Sequence, residues 1–269
     1  MRTRPWEVDD ALWRRVQPLI PPAPSRSKGG RPRVDDRRVF AAIVYVLRTG
    51  AQWNAIPKQV CSSSVAHARF QEWERAGFFR DLWQAGLMEY DEVRGIDWEW
   101  QSVDGAMTKS PFGGAATGGN PTDRGKLGVK RSLLTDAEGI PLALVVDGAN
   151  RHDSKLLGRT VDAVAIARPK PSRSRRQHLC LDKGYDYPVI DDAVATRGYI
   201  GHISRLGTTP PAKQRGERAR RWVVERTHSW INRSRRLLVR WEKKVQNYEA
   251  FLALACAQLI FSKLIRVSG

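Results

Sequence analysis

The hydrophobic pattern of this chain changes its period near residue 98. Before that point apolar residues recur every three to four positions, as on the buried face of a helix. After it they alternate with polar residues over several segments, as on a half-buried strand. This order predicts a small all-α domain followed by a mixed α/β domain. We place the boundary near residue 95, which gives domains 1–95 and 96–269.

The first region contains several helical segments. Residues 6–20 carry an apolar face and stop at two prolines, and the Pro-, Gly- and Arg-rich residues 21–33 predict a loop. Residues 34–50 predict a second helix that begins at Asp35 or Asp36 and closes at a glycine.

The next two segments have the pattern of a helix-turn-helix. Residues 51–60 predict a short turn and helix, and residues 62–77 predict a longer helix with serines at its start. A recognition helix at 62–77 would direct His67, Arg69 and Gln71 towards DNA bases. An ordinary helical bundle fits the same pattern, and the weak surplus of positive charge in this region does not decide between them.

The second region predicts a sheet of five strands. The predicted strands cover residues 100–108, 126–136, 139–148, 178–182 and 199–204, and the predicted helices cover 152–167, 187–198, roughly 216–243 and roughly 246–266. The first three strands form a meander, with a Gly-containing hairpin turn between the second and third. A right-handed crossover returns the fourth strand beside the first and parallel to it. The predicted fold is therefore a three-strand meander plus two parallel strands, with flanking helices.

This topology brings two aspartates to neighbouring strands. Asp104 lies within the first strand and Asp182 ends the fourth, so adjacent parallel strands would hold them ~5 Å apart. Asp147 ends the third strand, roughly 10 Å from the first by the same spacing, and is interpreted as a turn residue. The alternative for Asp182 is a structural one, because an aspartate at a strand end often only caps the next turn.

A third carboxylate is predicted on a helix near the carboxyl end of the chain. The apolar stripe of this helix consists of Val223, Thr227, Trp230, Ile231, Leu237, Leu238 and Trp241. Glu225 falls on the opposite side, with His228 and Asn232 following at helical spacing. A surface ion pair with Arg221 is the alternative role for Glu225. Three carboxylates suit two Mg²⁺ ions, which prefer oxygen ligands and can drive phosphodiester cleavage.

The charge of the chain favours a polyanionic partner. The net charge is +18, of which residues 1–100 contribute +3 and residues 101–269 contribute +15. Neutralising phosphates releases counterions and drives binding to nucleic acid. Ribosomal and membrane-surface proteins are equally basic, so charge alone indicates only the class of partner.

Other compositional features point to a soluble cytoplasmic protein without zinc. Cys61, Cys180 and Cys256 are scattered, and no Cys/His cluster with zinc spacing is present. The first ten residues lack the apolar run of a signal peptide. The longest apolar stretch, 251–261, is too short to span a bilayer and predicts a buried helix.

Three motifs, in this order, resemble the DDE transposases of bacterial insertion sequences. They are VDGAMTKSP, LDKGYD and WVVERTHSWINRSRRLLVRWEK, and the group they most resemble is the insertion-sequence-five family. The two aspartates are 78 residues apart, and the glutamate follows after another 43. The segments GAQWNAIP, DRGKLGVKRSLLTDAEGIPL and ANRHDSKLL extend the resemblance over nearly the whole chain.

The resemblance implies a ribonuclease-H-like catalytic domain. Carried over residue by residue, Asp104, Asp182 and Glu225 are the catalytic acids that hold two Mg²⁺ ions, with Mn²⁺ as a substitute. The implied function is a transposase that binds the terminal inverted repeats of its element, cleaves DNA strands and transfers them. Its implied partners are double-stranded DNA, at the element ends and the target, and further copies of the chain in a homodimer or larger oligomer. The implied location is the bacterial cytoplasm, at the nucleoid.

The resemblance also implies DNA contacts. The predicted contacts are Arg124, Lys126, Lys130, Lys183, Arg221, Arg233 and Arg236 for the phosphates, and His67, Arg69 and Gln71 for the bases. In the family, an aromatic residue and an arginine precede the glutamate. Arg221 matches that arginine, and the aromatic residue here is Trp222 in place of an upstream tyrosine. A basic residue follows one or two turns later, but Asn232 occupies one such position, so Arg233 or Arg236 must supply the charge. For Arg124, Lys126 and Lys130 a solvated strand face is the alternative.

Two other function classes share these residues. A ribonuclease-H-like nuclease or junction resolvase would use the same acids without a sequence-reading domain. An inactive relative would act only as a DNA-binding repressor, although the intact acids argue against this alternative.

Overall fold

The computed structural model describes residues 4–24, 32–203 and 222–265. In chain order the elements are α1 (Asp10–Val16), α2 (Asp36–Thr49), α3 (Ser63–Arg75), α4 (Phe78–Arg94), β1 (Trp100–Lys109), β2 (Gly118–Gly119), β3 (Leu127–Asp136), β4 (Pro141–Gly148), α5 (Asp153–Asp162), β5 (His178–Leu181), α6 (Pro188–Ala195), β6 (Ile200–Ile203), α7 (Trp222–Asn232) and α8 (Val245–Ile265). Short 3-10 turns cover Trp53–Ala55, Lys183–Tyr185 and Arg235–Leu237, and another follows α1.

The strands form one mixed sheet with the order β4-β3-β1-β5-β6. Strands β1, β3 and β4 make an antiparallel meander, and β5 and β6 are parallel to β1. The short strand β2 pairs with the start of β3. This arrangement confirms the predicted ribonuclease-H-like sheet of three meander strands and two parallel strands.

Helices cover both faces of the sheet. On β3, Ser132 accepts a hydrogen bond from Thr160 of α5, and Arg131 donates one to Asn232 of α7. Successive residues of a strand point to opposite faces, so α5 and α7 lie on opposite sides. All of β3 after its first residue is buried as a result.

The first region is helical, as predicted. Helix α2 begins after Asp35, whose side chain accepts a hydrogen bond from the Arg38 amide, and ends at Gly50 in the left-handed region. The sequence patterns leave residues 78–94 unassigned, and the structure places the longest helix of this region, α4, there. Its start at Gly77, another left-handed residue, offers no capping side chain, which removes the usual sequence signal for a helix start.

One hydrophobic core extends across the predicted domain boundary. It contains side chains from α2, α3 and α4 together with the sheet and α8. The rings of Phe70 and Phe251 stack with centroids 4.6 Å apart, and the Trp83 indole donates to the Pro141 carbonyl at 3.0 Å. The division into domains 1–95 and 96–269 stays a prediction.

Helix α8 extends the apolar stretch at 251–261 in both directions. Its 21 residues are long and apolar enough to cross a membrane by length and composition, which the shorter stretch did not suggest. However, 67% of its most apolar window is buried inside the protein, where it packs beside α4. In this fold α8 is a core helix.

Several predicted helices are shorter than the sequence pattern indicates, and two of them differ most. Residues 51–60 contain no helical turn besides Trp53–Ala55, because Pro57 forces Ile56 into extended backbone. The helix predicted over roughly 216–243 ends at Asn232 within the described residues. Beyond it, Arg236 and Arg240 are buried and bonded to Glu242 and to backbone carbonyls, and these tertiary bonds override helix propensity.

Candidate active site

The strand register places Asp104 beside Asp182. In the parallel pair, Trp100 of β1 lies opposite His178 of β5, and Ser102 lies opposite Cys180. The offset is therefore 78 residues, the same as the spacing between the two acids. Asp182 follows β5 directly, so extending the register by two residues would set it next to Asp104. In-register neighbours project from the same face of a sheet.

The Asp182 side chain also caps the turn that follows it. Its Oδ1 accepts a hydrogen bond from the Gly184 amide at 2.9 Å. Asp182 therefore does cap a turn, which is the alternative role that the sequence left open. A carboxylate has about four lone-pair sites, so one capping bond leaves capacity for a cation.

Tyr185 is a buried residue whose phenol feels the charges of three aspartates. The residue is fully buried, and burial raises the pKa of its phenol well above 10. The negative charges of Asp153, Asp104 and Asp182 raise this pKa further, in that order. The phenol therefore stays protonated and adds no charge to the site.

Asp153 approaches β1 from the other face of the sheet. A Cβ added to Gly105 would lie 2.0 Å from Asp153 Oδ1, so a side chain at that position would displace the Asp153 carboxylate. Lys130 Nζ lies 2.9 Å from Asp153 Oδ2 in an ion pair, and the lysine side chain is 8% exposed. This corrects the prediction for Lys130, since a buried, paired ammonium cannot reach a phosphate.

Helix α7 holds Glu225 above β1. Val224 and His228 face the sheet and are buried, whereas Glu225 is exposed in the first turn. His228 Nε2 donates to the backbone carbonyl of Asp104 at 3.3 Å, which ties the helix to the strand at the first acid. Glu225 lies one helical turn before this contact.

The three acids do not form a closed cluster among the described residues. Among residues 4–24, 32–203 and 222–265, no group of three His, Cys, Asp or Glu side chains is gathered closely enough to hold a metal ion. The donor chemistry nevertheless fits a hard divalent cation, which prefers carboxylate oxygens. Asp104 and Asp182 are the pair that the register brings together, and Glu225 stands on the adjacent helix.

Arg131 is a buried cation that the sequence analysis did not single out. It is 1% exposed, and its Nη2 donates to Asn232 Oδ1 at 2.9 Å. Its Nε and Nη1 have no hydrogen-bond partner in the described part of the chain. Two adjacent basic residues, Lys130 and Arg131, within a buried strand were the available signal, since such residues are rarely buried without a role. Asn232 therefore points inward and anchors α7.

The predicted phosphate contacts divide into exposed and buried groups. Arg124, Lys126, Lys183 and Arg233 are exposed, as a phosphate contact requires. Arg221 lies outside the described residues. Arg236 does not fit, because its guanidinium is buried and forms an ion pair with Glu242 at 2.7 Å.

Helix α3 uses most of its predicted reading face for internal contacts. Arg69 is buried and pairs with Asp36, and the Gln71 amide donates to Asn247 of α8 at 2.8 Å. His67 is exposed, and its ring packs edge-on against Trp53. The structure corrects the assignment of Arg69 and Gln71 to base contacts, because packing against α2 and α8 occupies both side chains.

The buried His228 predicts a pH dependence of stability. Burial, followed by the positive charge of Arg131, lowers its pKa from 6.5 to about 3. In the unfolded chain His228 is protonated as pH falls below 6.5, whereas in the folded chain it stays neutral. The stability that the neutral, buried His228 contributes is therefore fully present above pH 6.5. As pH falls towards 3 the free energy of unfolding should decrease by up to about 1.4 kcal/mol per pH unit.

Urea unfolding between pH 4 and 7 measures this slope. His228→Gln is the matched control, because its amide can still donate near the Nε2 position but does not titrate. The variant should show a flatter slope than the wild type. Equal slopes would contradict a neutral, buried His228.

Two family models together match most of the chain. One described as "Transposase DDE domain" matches residues 96–260, and one described as "Putative transposase of IS4/5 family (DUF4096)" matches residues 8–83. A Burkholderia cepacia protein described as "Putative transposase for insertion sequence element IS402" is 36% identical over 162 residues, which are 58% of this chain and 73% of that protein. Another from the same organism, "Insertion element IS402 uncharacterized 16.2 kDa protein", is 32% identical over 42% of this chain and 80% of its own length.

Solved structures of Mos1 transposase match at low similarity. The pre-cleavage Mos1 transpososome aligns over 89% of this chain and 82% of that chain, with 11% identity and a TM-score of 0.30. The mariner Mos1 paired-end complex with Mg aligns over 96% and 86%, with 10% identity and a TM-score of 0.33.

Proposed function

Because this chain belongs to the DDE transposases of IS4/5-type insertion sequences, an enzyme family that cleaves and transfers DNA strands, we propose that Asp104, Asp182 and Glu225 are its catalytic acids. The observation that supports this assignment most strongly is the β1–β5 register. Its 78-residue offset matches the spacing between the two aspartates, and neither motif alone implies that match.

We propose that the acids hold two divalent cations, with Mg²⁺ as the ion used and Mn²⁺ as a substitute. When bound, such ions activate the attacking oxygen and stabilise the leaving oxygen of a phosphodiester. Asp104 and Asp182 would supply the ligands from the sheet, and Glu225 would supply the ligand from α7. The family relationship supports the use of divalent metal, and the number and identity of the ions are part of the proposal.

The surrounding side chains position the acids. His228 fixes α7 to the Asp104 carbonyl, and Arg131 fixes the end of the same helix through Asn232. Together these groups would hold the three carboxylates at one edge of the sheet before DNA arrives.

We further propose that the substrate DNA carries the terminal inverted repeats of an insertion sequence. Two or more copies of the chain would act together on paired ends, in the bacterial cytoplasm. The basic charge of residues 101–269 supports a DNA partner. The exposed residues Arg124, Lys126, Lys183 and Arg233 are the proposed phosphate contacts within the described chain.

A cleavage assay on two duplexes tests the proposed function. One duplex carries the repeats that flank the gene and the other a scrambled sequence of the same composition, each with and without Mg²⁺. Metal-dependent cleavage confined to the repeat duplex is expected. Equal cleavage of both would instead indicate a nuclease without sequence recognition. Binding to the repeat without cleavage would indicate a repressor.

The exposed arginines after α7 should contribute to the salt dependence of DNA binding. Each phosphate neutralised in duplex DNA contributes a slope of about −0.9 to log K against log salt. Replacing Arg233 and Arg235, both exposed, by alanine should therefore flatten the slope by up to ~2. Fluorescence anisotropy with one labelled duplex over a salt series measures this change.

The matched control removes two positive charges at the other end of strand β5. Arg173 and Arg175 are exposed in the segment before β5, whereas Asp182 follows β5. Their double alanine variant should keep a slope closer to that of the wild type. If both double variants flatten the slope of log K against log salt by the same amount, the DNA does not lie along the end of the strands that carries Asp182.

A further inference from the structure

Two exposed aromatic rings touch each other beyond the ends of β1 and α7. Phe112 is 58% exposed and Trp241 is 40% exposed, and their ring centroids are 5.5 Å apart. Single exposed apolar residues are common, but two large aromatic rings in contact and open to solvent are not required by the fold. Their surroundings, residues 109–127 and 233–244, are called the edge surface below.

Hydrogen bonds from Arg240 fix the backbone on both sides of the aromatic pair. Arg240 is fully buried and donates to the carbonyls of Glu242, Lys243 and Ala116. The Arg240 amide donates to the Lys109 carbonyl at 2.8 Å. A buried guanidinium that bonds three carbonyls joins the two segments of the edge surface, so the rings keep their relative position.

The two segments are also closely packed beside the rings. A Cβ on Gly114, whose φ is +109°, would lie 2.2 Å from the Lys243 carbonyl oxygen, so only glycine fits there. Leu127 and Leu238 add further exposed apolar area to the same surface. The apolar patch therefore belongs to a surface whose two segments are held in a fixed arrangement.

The charges around the rings have one sign. Every exposed charged side chain in residues 109–127 and 233–244 is a lysine or an arginine. The two acids in these segments are engaged, since Asp123 pairs with Lys109 at 3.3 Å and Glu242 with Arg236 at 2.7 Å. A second copy of this surface would meet it with like charges, which disfavours self-association and favours a polyanion.

The edge surface continues from the elements that carry the proposed acids. The part of β1 from Asp104 to Lys109 spans roughly 17 Å at 3.3 Å per residue, and Phe112 lies beyond the end of the strand. Trp241 follows α7, which carries Glu225. At 3.4 Å per stacked base, 17 Å corresponds to about five nucleotides.

We propose that Phe112 and Trp241 form a stacking site for unpaired bases of a DNA strand that leads to the catalytic acids. Aromatic faces beside a positively charged surface are the usual means of binding single-stranded nucleic acid. The lysines and arginines of the edge surface bind the phosphates, and the two rings bind the bases. This inference rests on the proposed function, because it takes DNA as the substrate of the same site.

The test compares single-stranded and duplex DNA on the full chain. The probes are a labelled single strand of twenty thymidines and a labelled blunt duplex of twenty base pairs, and fluorescence anisotropy gives both affinities over a salt series. Phe112→Leu with Trp241→Leu removes both aromatic faces but keeps the residues apolar and uncharged. This variant should bind the single strand about tenfold more weakly or worse. Its duplex affinity and its salt slopes should not change.

A further variant and the wild-type cleavage assay separate the outcomes. Phe112→Tyr with Trp241→Phe keeps both aromatic faces and should retain single-strand affinity. If the double leucine variant loses single-strand affinity but the wild type cleaves neither duplex, the stacking site stands and the proposed activity does not.

Three results would overturn the stacking site. Wild-type affinity in the double leucine variant is the first. The second is an equal loss on single strand and duplex. A shift of the double leucine variant to a smaller oligomer in sedimentation velocity is the third, and it would make the surface an interface between copies.

Discussion

Asp104→Asn, Asp182→Asn and Glu225→Gln are each expected to reduce DNA strand cleavage by at least about 10³-fold while the protein stays folded. An amide is an uncharged, poorer ligand, so each change removes one donor to the proposed cations. The measurement is cleavage of the repeat duplex by purified variants, with circular dichroism to confirm the fold.

Asp147→Asn is the internal control for these variants. Asp147 also ends a strand of the sheet, but it forms ion pairs with Arg159 at 2.5 Å and with Arg151 at 3.7 Å. Exposed or half-exposed pairs of this kind contribute little, so the variant should cleave like the wild type. Near-normal cleavage by any one of the three acid variants would remove that residue from the site.

Arg236→Ala is expected to lower the free energy of unfolding by about 3–5 kcal/mol. Arg236 and Glu242 form a buried ion pair with side chains 9% and 5% exposed. Removing the arginine leaves the Glu242 carboxylate buried without its partner, which costs more than the pair itself contributes. Urea unfolding followed by tryptophan fluorescence measures the change.

Two comparisons identify the origin of the loss. Arg233→Ala changes the same type of residue at an exposed position nearby and should alter stability by no more than about 0.5 kcal/mol. Arg236→Met with Glu242→Leu removes both charges and should recover much of the stability. Wild-type stability of Arg236→Ala, together with weaker DNA binding, would restore Arg236 as a phosphate contact.

The sequence predicted the sheet and the parallel pairing of β5 with β1 because both depend on local pattern and connection rules. Alternating segments located the strands, and the right-handed crossover placed β5 beside β1. Glu225 is exposed on α7, and Val223, Thr227 and Ile231 of the predicted apolar stripe are buried. Leu238 and Trp241 were predicted to belong to the same stripe, but they lie beyond the end of the helix and are exposed. The membership of Glu225 in the metal site stays a prediction.

The pattern could not show which basic residues are internal. Lys130, Arg69 and Arg236 look like surface cations in the sequence, yet each is buried against a carboxylate that is distant in sequence or separated by a turn. Periodicity reports which side of an element faces inward and does not report ion pairs within the core. The same limit hid Arg131 and the end of α7 at Asn232.

The shared core has a consequence for how this protein is synthesised. Helix α4 packs along α8, which begins about 150 residues later in the chain. At a synthesis rate of about 5–20 residues per second, the apolar face of α4 remains uncovered for roughly 8–30 s until α8 has been synthesised. During that interval the first helices are a nascent chain with an uncovered surface, exposed to chaperones and to aggregation. A polypeptide that stops before α8 would therefore fail to complete the helical region at its own amino end.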